Sequence, residues 1–300
     1  MAKKNVSFRV FLVKNDELTQ DRSDLKDELL SRLKNSKVEQ RLISLFEKDP
    51  ETKDLLASYA PSGNSTADYF YGLMMRLKPA SGISAIPDNY LQQAAIDEDE
   101  LNPIAGMEGK VICSSLYHFF VKGKYLITDL PGNTTIAGFS GYLDKYLLTT
   151  HYAFAPFISP NRLELKDIKC CVFQDPLTAL PEKEKRLSLK PNVRKLIQWL
   201  CPEVDNLNKI MKSNIVSAKM TLDFEKPKSM KQEDYANQLG AVLAPISDLE
   251  NIYFTTNNGV KVMGEQLVYT TKRTLEGEKI DAECYIQAMK GVYEDLPKND

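Results

Sequence analysis

Apolar and polar positions along the chain alternate in short stretches that place individual elements. Val6 to Val13 (VSFRVFLV) is a β-rich apolar run with imperfect alternation, which predicts a strand. Leu25, Leu29 and Leu33, then Val38, Leu42 and Leu45, recur at helical spacing and predict one or two helices over about 23–46. Beyond Asp49-Pro50 and the turn cluster Pro61 to Ser65, alternating Tyr69, Tyr71, Leu73, Met75 and Leu77 predict a second strand. Residues 78–109 are rich in Pro, Gly, Ala and acids, and read as a long loop with at most a short helix at Asn89 to Ala95.

A hairpin follows. VICSSLYHFFV and KYLIT flank Lys122-Gly123, a tight connection in which the glycine can take positive φ. After PGNTT, the stripe Ile136, Phe139, Tyr142, Leu143, Tyr146 and Leu147 predicts a helix. His151 to Pro160 looks irregular, and Leu163 to Phe173 returns to strand character. Val193, Leu196, Ile197 and Leu200 predict a helix, and Val216 to Phe224 a period-two strand. A helix at about Lys231 to Leu243, strands at Ile252 to Thr256 and Val260 to Tyr269 around the Asn257-Asn258-Gly259 turn, and a terminal helix from Asp281 complete the pattern. The expectation is an α+β fold in two lobes, 1–175 and 176–300, each a mostly antiparallel sheet packed with helices.

Composition fits this picture. Hydrophobic residues make up 43% and charged residues 27%, enough apolar surface for a sizeable core and far from a disordered composition. No apolar run approaches the roughly 18 to 20 residues that span a bilayer, and the start meets charge before any core of signal-peptide length. Five scattered cysteines form no disulfide framework. Together these predict a cytoplasmic protein with no membrane span. The net charge of −2 conceals an asymmetry, because Lys183 to Lys231 holds 12 Lys+Arg against 5 Asp+Glu.

The chemical inventory excludes more than it offers. His118 and His151 are the only histidines, and neither has a Cys or His at zinc-site spacing, so no metal or cofactor site is read. His118 sits in an apolar β run, as a satisfied structural histidine would; His151 fits a loop or packing role. Cys113 falls on the opposite pleat from His118, the wrong geometry for a Cys–His pair. Cys170-Cys171 lacks C-x-x-C spacing and reads as two small buried hydrophobes. Thr134 or Thr135 fits an N-cap after the PGN turn, which lacks the Gly-Lys-Ser/Thr of a P-loop.

Glu164 and Lys166 form the E-x-K of a restriction-type nuclease, with Asp129 and Asp144 upstream as further carboxylates, or a surface pair. Lys183, Lys185, Arg186, Lys190, Arg194 and Lys195 are the best nucleic-acid-binding candidates. The last two lie on the predicted helix whose other face is apolar, an arrangement that offers cations to phosphates. A solvated basic face is the alternative.

The order of a KGKYLIT hairpin before a helix, a basic central region, paired C-terminal strands and a closing helix with Cys284-Tyr285 resembles the RexA/KwaB-type phage-exclusion (antiphage defence) proteins. The resemblance implies a cytoplasmic, dimeric DNA-binding component of a bacterial or prophage defence system. Three functions follow as expectations. The first is a non-enzymatic binding or effector protein that contacts DNA or RNA. The second is a protein-interaction module, an inhibitor or assembly partner, whose acidic N-terminal lobe and 78–109 loop meet a basic target. The third is a metal-dependent nuclease using Glu164 and Lys166.

Overall fold

The computed structural model describes residues 2–34, 36–45, 50–61, 66–79, 84–85, 102–103, 111–130, 134–148, 150–159, 168–176, 217–223, 230–243 and 252–297. The fold is α+β, and every ladder between the described strands is antiparallel.

The large sheet is built around β1 (Ala2–Asn15). Its other strands are β2 (Leu42–Ser44), β3 (Lys53–Ala60), β4 (Phe70–Pro79), β7 (Val111–Lys122), β8 (Tyr125–Thr128), β9 (Tyr152–Pro156) and β14 (Thr270–Gly277). Their order is β14-β1-β8-β7-β4-β3-β2, with β9 also paired to β1. The sheet thus draws strands from both ends of the chain. A two-residue ladder joins β5 (Ser84–Ala85) to β6 (Asn102–Pro103). The second sheet runs β11 (Ser217–Asp223), β10 (Ile168–Pro176), β12 (Ile252–Thr256), β13 (Lys261–Met263).

The imperfect alternation of β1 has a packing cause. In its C-terminal half both faces are covered, so Val10 to Val13 are all buried. Phe11 and Val13 point to helices α1 (Leu25–Leu33) and α2 (Thr134–Leu147). Val10 and Leu12 point to the C-terminal helix, with Ile286, Met289 and Val292. In the N-terminal half only the second face is covered. Val6 and Phe8 are buried there, while Lys3, Asn5 and Ser7 on the other face are exposed. The second sheet has its own core, in which α3 (Gln232–Leu243) sets Tyr235, Leu239 and Leu243 against Phe254 and Val262.

Several expectations are corrected. The helical spacing of Val38, Leu42 and Leu45 ends in a 3-10 turn (Val38–Arg41) and the strand β2. The segment 151–160, read as irregular, contains β9, with Tyr152, Phe154 and Ala155 buried. Val260 to Tyr269 is not one strand but β13 followed by the short helix α4 (Gly264–Leu267). The β7–β8 turn is Gly123-Lys124 rather than Lys122-Gly123, with Gly123 at φ +54°. The last helix, α5 (Ala282–Glu294), begins where expected. Asp281 caps it by accepting a hydrogen bond from the Cys284 amide at 3.2 Å.

Candidate functional site

The β7–β8 hairpin places His118 opposite the residue just after β8. The Asp129 carboxylate accepts two hydrogen bonds from His118, one from the backbone amide at 2.6 Å and one at ring Nδ1 at 3.0 Å. The His118 carbonyl accepts from the Thr128 hydroxyl at 2.7 Å. Both partners are nearly buried, with side chains 9% and 11% exposed. The imidazole stacks on the Tyr285 ring of α5, centroids 3.5 Å apart, and Lys4 Nζ donates to the Tyr285 hydroxyl at 2.7 Å. His118 therefore has a satisfied, structural setting, as expected. It ties β7, β8, α5 and β1 together at one point.

This cluster lies at one end of a cleft of about 420 Å³, between the N-terminal half of β1 and the start of β7. Asn5, Ser7 and Arg9 line one wall, and Leu116, Asp129 and Leu130 the other. The cleft opens on the uncovered face of the sheet. There the β1–β14 register sets Arg9 opposite Thr270, Ser7 opposite Lys272, Asn5 opposite Thr274 and Lys3 opposite Glu276. Opposed residues share a face, and two of these pairs bond directly. Thr274 donates to Asn5 at 2.8 Å, and Lys3 pairs with Glu276 at 2.7 Å. The result is a polar surface of cations, hydroxyls and an amide on a rigid support.

A second polar cleft lies between the β1 turn and α3. Lys14, with its side chain 7% exposed, and Lys124 both pair with Asp21 at its edge. Burial acts to raise the Asp21 carboxyl, but hydrogen bonds and charge from Lys14 and Lys124 outweigh it and hold the carboxyl below its usual range.

The candidate residues from sequence are dispersed. Lys183, Lys185, Arg186, Lys190, Arg194, Lys195, Glu164 and Lys166 lie outside the described residues, as does the PGN turn at 131–133. Asp129 is committed to His118. Asp144 lies ten residues along α2 from its start, about 15 Å by helical rise, and contacts the exposed His151 at 3.1 Å. The two carboxylates thus serve different histidines. Among the described residues no group of His, Cys, Asp or Glu could hold a metal ion. Cys113 is exposed, and Cys170 is half-buried rather than buried.

The His118–Asp129 pair was missed in the sequence, although the hairpin contained its signal. Once the two-residue turn is fixed, Phe119 faces Thr128, and the next pair outward is His118 and Asp129. The Tyr285 contact had no local signal.

No family model and no curated protein matches this chain. No helix among the described residues is long and apolar enough to cross a membrane.

Proposed function

We propose that the protein is a non-enzymatic binding or effector protein that contacts nucleic acid, DNA foremost, through the phosphate backbone. The carrying observation is the concentration of positive charge in an otherwise acidic chain, 12 Lys+Arg against 5 Asp+Glu between Lys183 and Lys231. The described residues add a compatible surface. Lys272 and Arg9 stand among Ser7, Asn5, Thr270 and Thr274 on the open face of β1 and β14, and phosphates are bound by such cations, hydroxyls and amides. The resemblance to phage-exclusion proteins supplies the setting of this proposal, a bacterial or prophage antiphage defence system, with the chain in the cytoplasm as a dimer.

Binding to labelled double-stranded DNA, single-stranded DNA and RNA, measured across a salt series with and without Mg²⁺, tests this reading. The expected result is binding that weakens steeply with salt and without cleavage. Reversing Lys185, Arg186, Arg194 and Lys195 together to Glu should flatten the log–log salt slope by about 3 to 4, near 0.9 per lost phosphate contact. Undiminished binding by that variant, or none to any nucleic acid at low salt, refutes the proposal. Mg²⁺-dependent cutting that is lost in Glu164→Ala would replace it with the nuclease reading.

A further inference from the structure

Among the described residues, the large sheet has an unfilled strand position next to β8. β8 lies between β1 and β7 but has 4 residues, where its neighbours have 14 and 12. Its pairing stops at Thr128, which faces Arg9 on one side and Phe119 on the other. Leu130 then turns into the core beside α2. Beyond that point Ala2–Phe8 and residues 111–117 continue, each paired on its far side only, to β14 and β4.

The hydrogen-bond phase shows what those strands present. Along a strand in an antiparallel sheet, residues offer N–H and C=O alternately to either neighbour. Val10 N donates to Tyr269 O and Val13 N to Lys124 O, so even residues of β1 face β14 and odd ones face β8. The main chains of Asn5 and Ser7 therefore point into the empty position. On β7, Asp129 N donates to His118 O, so Leu116, two residues away, also presents its main chain there. None of the three has a main-chain partner in this position among the described residues. The 420 Å³ cleft fills it, and Leu116 beside it is 44% exposed. Lys4, Tyr285 and His118 are bonded or stacked together on the α5 side and hold that side in place.

We propose that this cleft docks an extended, acidic segment of a partner protein, which adds as a strand between β1 and β7. An extended backbone offers donors and acceptors along both edges at strand spacing, and so can satisfy both walls at once. The charge of the rim sets the sign. Lys4 and Arg9 line the cleft, Lys3 lies beside it on β1 and Lys272 stands one strand beyond on β14, against Glu276, paired with Lys3, and Asp129, committed to His118. Alternate side chains of the incoming strand would face Ser7 and Arg9 on the open side, with Lys272 one strand beyond, and Val6 and Leu116 on the other. That pattern selects acidic residues alternating with apolar ones.

The probe is a fluorescein-labelled seven-residue peptide of alternating glutamate and valine, added to the full-length chain and followed by anisotropy and by amide hydrogen exchange in NMR. The expected result is saturable binding with slowed exchange at Asn5, Ser7 and Leu116. Binding should fall at least roughly tenfold when alternate peptide nitrogens are methylated, and similarly for a lysine–valine peptide. Ser7→Pro removes an N–H that points into the cleft rather than toward β14. It should weaken binding by the same order, with thermal unfolding reporting on its fold. Because the methylated peptide requires no protein variant, the test survives a failure of Ser7→Pro to fold. Unchanged exchange at the three amides under saturating peptide, or equal binding by the methylated peptide, overturns the proposal. So do amides that are already slow in the free protein, since the position would then be filled by this chain. Absence of nucleic-acid binding alters none of these outcomes, so the two proposals fail separately.

Discussion

Removing the Asp129 carboxylate strikes at the contact that joins the hairpin to the C-terminal helix. Asp129→Ala deletes the acceptor for the His118 amide at 2.6 Å and for ring Nδ1 at 3.0 Å. Hydrogen bonds to an ionised group contribute about 1.5–3 kcal/mol each, and donors left buried add a desolvation cost. The adjoining cleft lets water reach part of the site, which places the expected loss at about 3–4 kcal/mol, toward the lower end of that sum. Asp129→Asn separates geometry from charge. Its amide oxygen still accepts from the His118 amide, and the neutral imidazole can adopt the tautomer whose Nδ1 accepts from the new NH₂. A loss of only about 1 kcal/mol is expected. Urea unfolding followed by far-UV circular dichroism gives both values as midpoint shifts at constant slope. His118→Phe, which preserves a ring against Tyr285, completes a double-mutant cycle with Asp129→Ala. The coupling energy should be about 1–2 kcal/mol, because only the side-chain half of the interaction is shared. An alanine variant within about 0.5 kcal/mol of the parent would refute this account of the site, and so would an asparagine variant as unstable as alanine.

Three further predictions concern stability. Gly240→Ala would place a Cβ 2.6 Å from the Pro156 carbonyl oxygen where α3 crosses β9, so it should lower the midpoint despite better helix propensity. Gly141→Ala in α2 meets nothing within 4 Å and should stabilise by about 0.5–1 kcal/mol; shifts of the same sign in the two variants would contradict these packing distances. Because Asp21 is held below its usual carboxylate range in the folded chain, its stabilising effect should be fully present above the unfolded value, near pH 4, and be lost as pH falls through the lower folded value. The stability gap between the parent and Asp21→Asn should thus stay constant from about pH 5 to 8 and narrow in acid, and a gap that widens in acid would reverse the assignment.

Local periodicity made much of the α+β fold legible. The strand cores of β1, β4, β7, β8 and β12, and the helices α1, α2, α3 and α5, all follow from apolar spacing because each buries at least one face, and β11 forms where the period-two run places it. Gly123 and Asp281 mark a turn and a helix start through their own backbone and side-chain chemistry. The strands that sequence reading missed lacked that signal. β14 (TTKRTLEG) is an edge strand with one open face, so only Leu275 is buried. β9 is apolar on both faces and carries no alternation. β3 slips register between Leu56 and Ser58, which breaks its period.

The candidate cleft divides in the same way. The amino-acid sequence by itself determined that a tight hairpin joins β7 and β8, and the charge carried by Lys3, Lys4 and Arg9, since both are matters of composition and of near neighbours, while the one-residue shift of the turn that sets His118 against Asp129 came from the structure. Only the tertiary structure decided that Tyr285 stacks on that histidine, that β1 takes β14 as its partner across more than 250 residues of chain, and that β8 stops short between two longer strands. Such pairings arise from burying apolar faces contributed by distant segments, a global optimum of packing that no local window of sequence contains.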